Sequence, residues 1–460
     1  MNFKNLQTIY FLGVGGIGMS ALARYFVAIG CNVYGYDKTK TNLTTQLENE
    51  GVNIHYDEDI SLIPNEIKTK QANTLVVYTP AIPTNNKEWL FFKENNILIH
   101  KRSEVLGLIS QNYYTIAVAG THGKTTTSSM IAHVLQQCGV ACNAFLGGIS
   151  LNFNSNLVLN SNAKIMVVEA DEFDRSFLTL SPDLAIITSL DADHLDIYED
   201  KKTMHKAYQD FTNKIKNQGT LFTKDNNLPY LNLSHTLQTK TYSISESADY
   251  QAKNRRISNG NFVVDIKTPK NIIRNVEIGL PGIHNIENAL AAFAVADLLQ
   301  IDNEKIKMAL ASYRGVHRRF EYHIKKPNLV YLDDYAHHPT ELSACILSIK
   351  EIYPNKKITG IFQPHLYTRT RDFTNEFAES LSLLDTLILL DIYPARELPI
   401  EGVTSQMLLE KVSIKDKIIV KKEDVINELK KSEIEILVTL GAGNIDELVE
   451  PITEYLTNSK

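Results

Sequence analysis

The chain has 460 residues, 43% hydrophobic and 22% charged, which is enough apolar material for roughly three domains of ~150 residues and excludes wholesale disorder. Its 47 Lys and Arg stand against 53 Asp and Glu, a formal charge of −6 that excludes holding nucleic acid or anionic lipid by bulk attraction, so any phosphate must be gripped locally. Cys31, Cys138, Cys142 and Cys345 form no C-x-x-C or metal spacing, and no window approaches the ~18 apolar residues of a spanning helix; a cytoplasmic protein without a targeting segment is expected.

Strand and helix alternate almost throughout, which predicts an α/β fold of parallel sheets wrapped by helices. Thr8–Val14 reads as a buried strand opening into glycines, Ile17–Ile29 as a helix, and Asn32–Asp37, Leu75–Thr79 and Ile97–His100 as strands. A short helix from Ser103-Glu104 to about Gln111 reads as a connector, so a boundary is placed near 110. Tyr114–Ala119 then runs into the turn Gly120–Gly123 and a helix to Gln137, with Cys138 and Cys142 expected at i, i+4 on an apolar helix. Strands follow at Ile165–Glu169 and Leu184–Ser189. From about 219 to 280 the short pieces TLFT, TYSI, FVVDI and VEIGL read as a small mixed or antiparallel insert, before a helix at Asn285–Leu299. A third block from about 320 has strands at Leu329–Leu332, Ile358–Phe362, Thr386–Leu390, Lys417–Val420 and Ile436–Leu440. Three domains are expected: 1–110, 111–319 and 320–460.

The strongest local signal is Gly120-Thr121-His122-Gly123-Lys124-Thr125-Thr126-Thr127, between a strand and a helix. Backbone N–H groups of such a turn and of the helix start point at phosphate oxygens, Lys124 can reach the β/γ-phosphates, and the Thr125 hydroxyl can ligate Mg²⁺. Val118 stands where the standard G-x-x-x-x-G-K-[ST] loop has its first glycine. Gly13-Val14-Gly15-Gly16-Ile17-Gly18 follows the first strand, and Asp37 ends the second, in the pattern of a dinucleotide fingerprint whose acid meets a ribose hydroxyl. Any nucleotide diphosphate meets the same backbone, so NAD is not singled out.

Carboxylates gather at Glu169-Ala170-Asp171-Glu172-Phe173-Asp174 and Asp191-Ala192-Asp193-His194, each behind an apolar strand, where ligands sit in an open α/β sheet. Beside Lys124 and Thr125 they can hold the magnesium ions that neutralise a triphosphate. Asn285 and Asn288, after His284, share one helix face and suit either an adenine edge or a helix cap. In the third block Arg318-Arg319-Phe320, Asp333-Asp334-Tyr335-Ala336-His337-His338 and Gln363-Pro364-His365-Leu366-Tyr367-Thr368-Arg369-Thr370-Arg371 bring Arg, His and Asp to strand ends, where Arg suits carboxylate and phosphate.

Together GVGGIGMSALA (13–23), GTHGKTTT (120–127), VVEADEFDRSF (167–177), SLDADHLDIY (189–198), GIHNIENALAA (282–292), HRRFE (317–321), DDYAHHPTE (333–341) and QPHLYTRTRDF (363–373) make the chain resemble the Mur ligases, which build the peptidoglycan peptide stem. Within that family the motifs are most similar to those of the member that joins L-alanine to UDP-N-acetylmuramate with ATP. The resemblance implies a Rossmann-like N-terminal domain for the UDP-sugar, a central P-loop-type ATPase domain with a mostly parallel sheet and a small β insert, and a Rossmann-like C-terminal domain for the amino acid. It implies a sugar carboxylate attacking the γ-phosphate, an acyl phosphate, and attack by the alanine amine. No Ser or Cys nucleophile with a base is visible, and that chemistry needs none.

Carried onto this chain, the resemblance gives Lys124, His194 and Glu169 catalytic roles, with Thr125, Glu169 and His194 at a site for two Mg²⁺. It assigns ATP to Gly120, Thr121, Gly123, Lys124, Thr125, Thr126, His284, Asn285, Asn288, Arg319 and Asp334. UDP-sugar falls to Gly15, Gly16, Ile17, Gly18, Asp37, Thr79 and His122, and the amino acid to Tyr335, His337, His365 and Arg369. A monomer or homodimer without nucleic-acid or membrane partners is implied. Leu366 departs from the basic residue many members carry after the QPH histidine. A recycling ligase that takes a tripeptide, an NAD-dependent oxidoreductase built on Gly13–Gly18, and a nucleotide-gated binding protein are the competing readings.

Overall fold

A computed structural model describes residues 3–191, 198, 200–258, 260–395 and 397–458. It contains three sheets. The first is formed by β1 (Thr8–Leu12), β2 (Asn32–Tyr36), β3 (Asn53–His55), β4 (Thr74–Tyr78) and β5 (Ile99–Lys101), all parallel, in the order β3-β2-β1-β4-β5. The second is built from β6 (Tyr114–Ala119), β7 (Cys142–Ser150), β8 (Ser155–Val158), β9 (Ile165–Glu169), β10 (Leu184–Ile187), β11 (Thr220–Thr223) and β12 (Gln238–Ser243). Their order is β12-β11-β10-β6-β9-β7-β8, parallel except for the β7–β8 pair. A meander of β13 (Tyr250–Ser258), β14 (Asn261–Lys267) and β15 (Ile272–Ile278) follows at the β12 edge. The third sheet holds β16 (Glu321–Lys326), β17 (Leu329–Asp334), β18 (Ile358–Phe362), β19 (Thr386–Leu389), β20 (Asp416–Ile419) and β21 (Ile436–Leu440), ordered β16-β17-β21-β18-β19-β20 with only β16 antiparallel.

Central strands such as β1, β10 and β21 are buried along their whole length, because helices cover both faces of a parallel sheet. That is why they read as unbroken apolar runs rather than as alternation. Where strand order reverses, at β1/β4 in the first sheet and around β6 in the second, the loops after neighbouring strands diverge and leave a crevice for ligands.

The chain divides into two compact units: residues 1–253, 265–276 and 287–313, and residues 254–264, 277–286 and 314–460. Within the first, Ile9, Phe11, Ala21 and Phe26 share one apolar cluster with Ala117, Phe145, Val168 and Ile187, so the first two sheets have a continuous core. Asn156 on β8 fastens the helix Ile17–Ala28 to it, donating to the Ile17 carbonyl (2.6 Å) and Ser20 Oγ (2.9 Å) and accepting from Arg24 (2.5 Å). The second unit packs its own core around Leu329, Ile361, Ile388 and Leu437.

Three details differ from the sequence expectation. TLFT and TYSI belong to β11 and β12 of the parallel sheet, so the meander begins only at Tyr250. Cys138 caps the helix Lys124–Gln137 and Cys142 opens β7, so the two share no helix; Gly139 turns the chain between them at φ +80°. The third sheet starts one strand earlier than expected, with β16. No helix among the described residues is long and apolar enough to cross a membrane.

Candidate active site

The turn after β6 is shaped by the end of β10. Thr121 N–H donates to the Ser189 carbonyl (3.1 Å), His122 N–H to Ser189 Oγ (2.9 Å), and Thr188 Oγ1 donates to the His122 carbonyl (2.5 Å). Gly120 sits at φ +128°, and a Cβ there would lie 2.1 Å from Thr188 Oγ1 and 2.8 Å from the Thr188 and Ser189 amide nitrogens. Gly123, the residue before the helix Lys124–Gln137, is left-handed at φ +81°, and its missing Cβ would meet Asn288 Oδ1 at 2.7 Å. That oxygen accepts from Thr127 Oγ1 (3.0 Å), so Asn288 braces the first helical turn. Thr126 is buried under the same turn. Thr125 stands beside Lys124 at the helix start, where unsatisfied N–H groups and the macrodipole favour an anion.

The Lys124 side chain, only 12% exposed, gives its ammonium to Glu172 Oε1 (2.8 Å) and to the carbonyls of Gly120 (2.8 Å) and Thr121 (3.5 Å). Burial alone would lower its pKa, but Glu172, Asp171 and Glu169 outweigh burial and raise it, so the lysine stays charged. Glu169, at the end of β9, turns Oε2 toward the Gly147 N–H (3.1 Å), in a space that a Cβ at Gly147 would fill. A small pocket beside it is lined by Arg102, Asp171, Ser176 and Glu169 itself. His194 lies outside the described residues.

In the first sheet the glycine turn after β1 is equally crowded. A Cβ on Gly13 would meet Thr79 Cγ2 at 2.5 Å, one on Gly15 Asp37 Oδ2 at 2.8 Å, and one on Gly18 the Arg102 guanidinium at 2.8 Å. Asp37 accepts from the N–H groups of Gly15 (2.7 Å) and Thr39 (3.1 Å), so it shapes the loop itself as well as standing where a ribose acid was expected. Gly16 and Ile17 start the helix; Thr79 closes β4 beside the turn.

The second unit gathers a separate group. Arg319 lies over the Tyr335 ring (5.2 Å) and 3.8 Å from Glu341. The His337 N–H donates to Glu341 (3.0 Å), its ring meets those of Tyr335 (5.2 Å) and His365 (6.1 Å), and Arg369 is close enough for its charge to act on it. Burial first, and the Arg369 and Arg319 charges with it, hold His337 below the ordinary histidine range against Glu341, so the ring is neutral at pH 7. Asp334 accepts from the N–H groups of Phe320 (2.8 Å) and Ala336 (2.7 Å), and burial lifts its pKa to about 6 against the pull of Arg319. Arg369 makes no ion pair among the described residues, whereas Arg371 is spent on Asp372 (2.7 Å) at the surface. His284 and Asn285 open the helix Ile283–Leu298, with Asn285 Nδ2 donating to the Pro281 carbonyl (2.5 Å).

Three family models match along the chain: the Mur ligase family catalytic domain over residues 8–114, the Mur ligase middle domain over 118–296, and the Mur ligase glutamate ligase domain over 318–443. The chain belongs to the Mur ligase family. It is 49% identical to the UDP-N-acetylmuramate–L-alanine ligase of Christiangramia forsetii over 455 residues, 99% of each chain, and 49% identical to that of Flavobacterium johnsoniae over 460 residues, 100% of each. Among solved structures, a UDP-N-acetylmuramate-alanine ligase from Thermotoga maritima superposes with a TM-score of 0.84 at 28% identity, covering 98% of this chain and 100% of that one.

The residues fit what a Mur ligase needs. At Gly120 and Gly123 a Cβ would run into Thr188, Ser189 and Asn288, so the packing behind the turn itself requires glycine. Among the described residues no three His, Cys, Asp or Glu side chains converge on a metal by themselves. A Mg²⁺ held by one hydroxyl, one or two carboxylates, waters and nucleotide oxygens needs no such protein cage, and Thr125 and Glu169 offer that donor set.

Sequence reasoning did not single out Arg102, Glu172, Thr188 with Ser189, Glu341 or Tyr393. Tyr393 stacks on His365 with ring centroids 5.8 Å apart. Glu172 and Glu341 stood inside quoted motifs, but nothing in their spacing separates them from solvated acids. Thr188 and Ser189 carried a usable signal, two small hydroxyls directly after an apolar strand facing a Gly-x-x-Gly turn.

Proposed function

We propose that this chain is an ATP-dependent ligase that joins L-alanine to the lactyl carboxylate of UDP-N-acetylmuramate, forming ADP and phosphate, in cytoplasmic synthesis of peptidoglycan precursors. The observation that carries the reading is the full-length 49% identity to ligases of that name, aligned with a phosphate loop whose glycines cannot bear a Cβ. The domains are taken as 1–110 for the UDP-sugar, 111–319 for ATP and 320–460 for the amino acid.

In this reading the N–H groups of Gly123, Lys124, Thr125 and Thr126 and the Lys124 ammonium hold the β- and γ-phosphates, while Gly120 and Thr121 shape the loop against Ser189 and Asn288 braces the helix start. Bound Mg²⁺, held by Thr125, Glu169 and His194, would neutralise charge on the nucleotide. Lys124 stabilises the charge that develops as the sugar carboxylate takes the γ-phosphoryl group, with His122 near that carboxylate. His284, Asn285, Arg319 and Asp334 are assigned to the nucleotide, and Gly15–Gly18, Asp37 and Thr79 to the UDP-sugar. Arg369, uncommitted to any described acid, holds the alanine carboxylate in a wall of Tyr335, His337 and His365, so the neutral amine is aimed at the acyl phosphate.

The test is phosphate release with ATP and UDP-N-acetylmuramate, scanned across amino acids and the L-Ala-D-Glu-diamino-acid tripeptide. Release that depends on L-alanine is expected. Dependence on the tripeptide alone, or release indifferent to any amino acid, overturns the assignment.

A further inference from the structure

Arg102 is the first residue of the helix Arg102–Ser110, directly after β5, so it stands at the end of the first sheet from which ligand loops leave. Its side chain reaches the first turn of the helix Ile17–Ala28. A Cβ on Gly18 would lie 2.8 Å from Arg102 Nη1, 2.9 Å from Cδ and 3.0 Å from Cζ, so glycine at 18 is what lets the planar cation lie there. The placement is electrostatically uphill. Helix starts carry partial positive charge, and Arg102 puts a full positive charge at two of them, its own and that of Ile17–Ala28. Among the described residues nothing pairs with it: Arg102 makes no hydrogen bond and no ion pair. The acids nearby meet other groups. Asp174 pairs with Lys101 (3.0 Å), and Glu104 accepts from the Lys101 N–H (2.9 Å). Asp171 and Glu169 line one pocket with Arg102, but they accept from the N–H groups of Phe173 (3.1 Å) and Gly147 (3.1 Å). The helix itself is locked in place. A Cβ on Gly107 would meet the Thr179 carbonyl oxygen at 2.6 Å, and Thr179 Oγ1 donates to the Ser103 carbonyl (2.8 Å).

We propose that Arg102 grips the diphosphate of the uridine nucleotide at the glycine turn after β1. This deepens the reading of the first sheet as the sugar-nucleotide site and rests on it. The turn offers a diphosphate only neutral backbone donors, and Asp37, which accepts from the Gly15 N–H (2.7 Å), adds a negative charge beside it. A doubly charged group bound there needs a cation, and a guanidinium supplies one with two parallel donors matched to phosphate oxygens. Arg24 on the same helix does not serve, since it is buried against Glu50 (2.7 Å) and Asn156 (2.5 Å). The pocket shared with Glu169 and Asp171 raises a second anion, the lactyl carboxylate of the sugar. Contact with Gly18 favours the diphosphate, because it places the guanidinium on the helix that the glycine turn opens.

The test is calorimetry on the full-length protein for wild type, Arg102→Gln and Arg102→Lys, with thermal melts to verify folding. The ligands are UDP, UDP-N-acetylglucosamine, which lacks the lactyl carboxylate, UDP-N-acetylmuramate, and ADP with Mg²⁺ as the control. Arg102→Gln is expected to weaken all three uridine nucleotides by one common factor, about tenfold to a hundredfold, with ADP affinity at the wild-type value. Arg102→Lys keeps the charge and loses the fork, so it should fall between, and it carries the test alone if the Gln variant does not fold. A merely structural role would weaken ADP along with the rest, and that result overturns the proposal, as do unchanged affinities. Loss confined to UDP-N-acetylmuramate, or a wild type that binds UDP-N-acetylmuramate alone of the three, moves the recognition to the lactyl carboxylate and overturns the proposal while the first-sheet reading stands. A wild type that binds none of the uridine nucleotides overturns both.

Discussion

Replacing Gly120 by alanine adds a single methyl group, and its cost follows from three atoms. The new Cβ would stand 2.1 Å from Thr188 Oγ1 and 2.8 Å from the amide nitrogens of Thr188 and Ser189. The hydroxyl could rotate away, but the two nitrogens belong to backbone at the end of β10, a strand buried along its length. Alanine also resists φ +128°. Left-handed strain of about 1–3 kcal/mol and overpacking of about 1–3 kcal/mol together give roughly 2–6 kcal/mol. The turn can escape only by peeling from Ser189, which breaks the hydrogen bonds from Thr121 N–H and His122 N–H that aim the loop. A loop released from Ser189 no longer holds the helix-start donors in place, and loss of one preorganised donor to a reacting group commonly costs about 10² to 10³ in rate. Melting curves and ADP calorimetry on Gly120→Ala should show both the destabilisation and the lost affinity. Gly123→Ala should cost less, since it meets chiefly one side-chain oxygen, Asn288 Oδ1. Adding Thr188→Ala to Gly120→Ala should rescue only in part, because the backbone contacts remain. Wild-type affinity in Gly120→Ala, or full rescue by Thr188→Ala, would refute the account of the loop.

Three further outcomes are expected. Arg369→Lys keeps the charge but loses the bidentate fork, so steady-state kinetics should show the KM for L-alanine rising more than those for ATP or UDP-N-acetylmuramate; a larger effect from Arg371→Lys, already paired with Asp372, moves the assignment. Glu88 is fully buried, and burial, against the hydrogen bond from Tyr10 (2.5 Å), raises its pKa to about 7. A raised acid contributes stability below its unfolded pKa and loses it as pH climbs through the folded value, so at pH 8 its ionisation costs about 3 kcal/mol. Urea titrations should find Glu88→Gln gaining on wild type between pH 5 and pH 8; a pH-independent difference would show that Glu88 is ionised throughout. The chain should bind UDP-N-acetylmuramate and not NAD(H) by calorimetry, since the glycine turn after β1 accompanies a separate phosphate loop; NAD competing with the sugar nucleotide would reverse that reading.

The elements legible in the sequence were those whose burial is uniform. Tyr114–Ala119, Ile165–Glu169, Ile358–Phe362 and Ile436–Leu440 coincide with observed strands because both faces of each are covered, which leaves one apolar run with sharp polar ends. β3 (Asn53–His55) is short and only partly buried, and β16 lies at a sheet edge with its last residues exposed, so neither carries such a run. TLFT and TYSI could be placed in the parallel sheet only by their pairing partners, β10 and each other, which no local pattern encodes.

The site divides along the same line, between what a residue does to its neighbours in the chain and what it does across the fold. Gly120 and Lys124 were readable because a turn between strand and helix constrains the residues within it. Glu172 was not, because its significance lies in a lysine 48 positions earlier, and an acid in a run of acids has no local mark of the partner it meets. Leu366 shows the converse. Its departure from the usual basic residue is visible in the sequence, and the structure adds that it sits at φ +71°, ψ 135°, a region nearly closed to side chains. Its N–H is tied to the Tyr393 carbonyl (3.0 Å) and its own carbonyl to the Thr370 N–H (3.2 Å), so the strain is held by the helix that carries Arg369 on one side and by the residue stacked on His365 on the other. What that position contributes is thus the direction of the backbone entering the helix that carries Arg369.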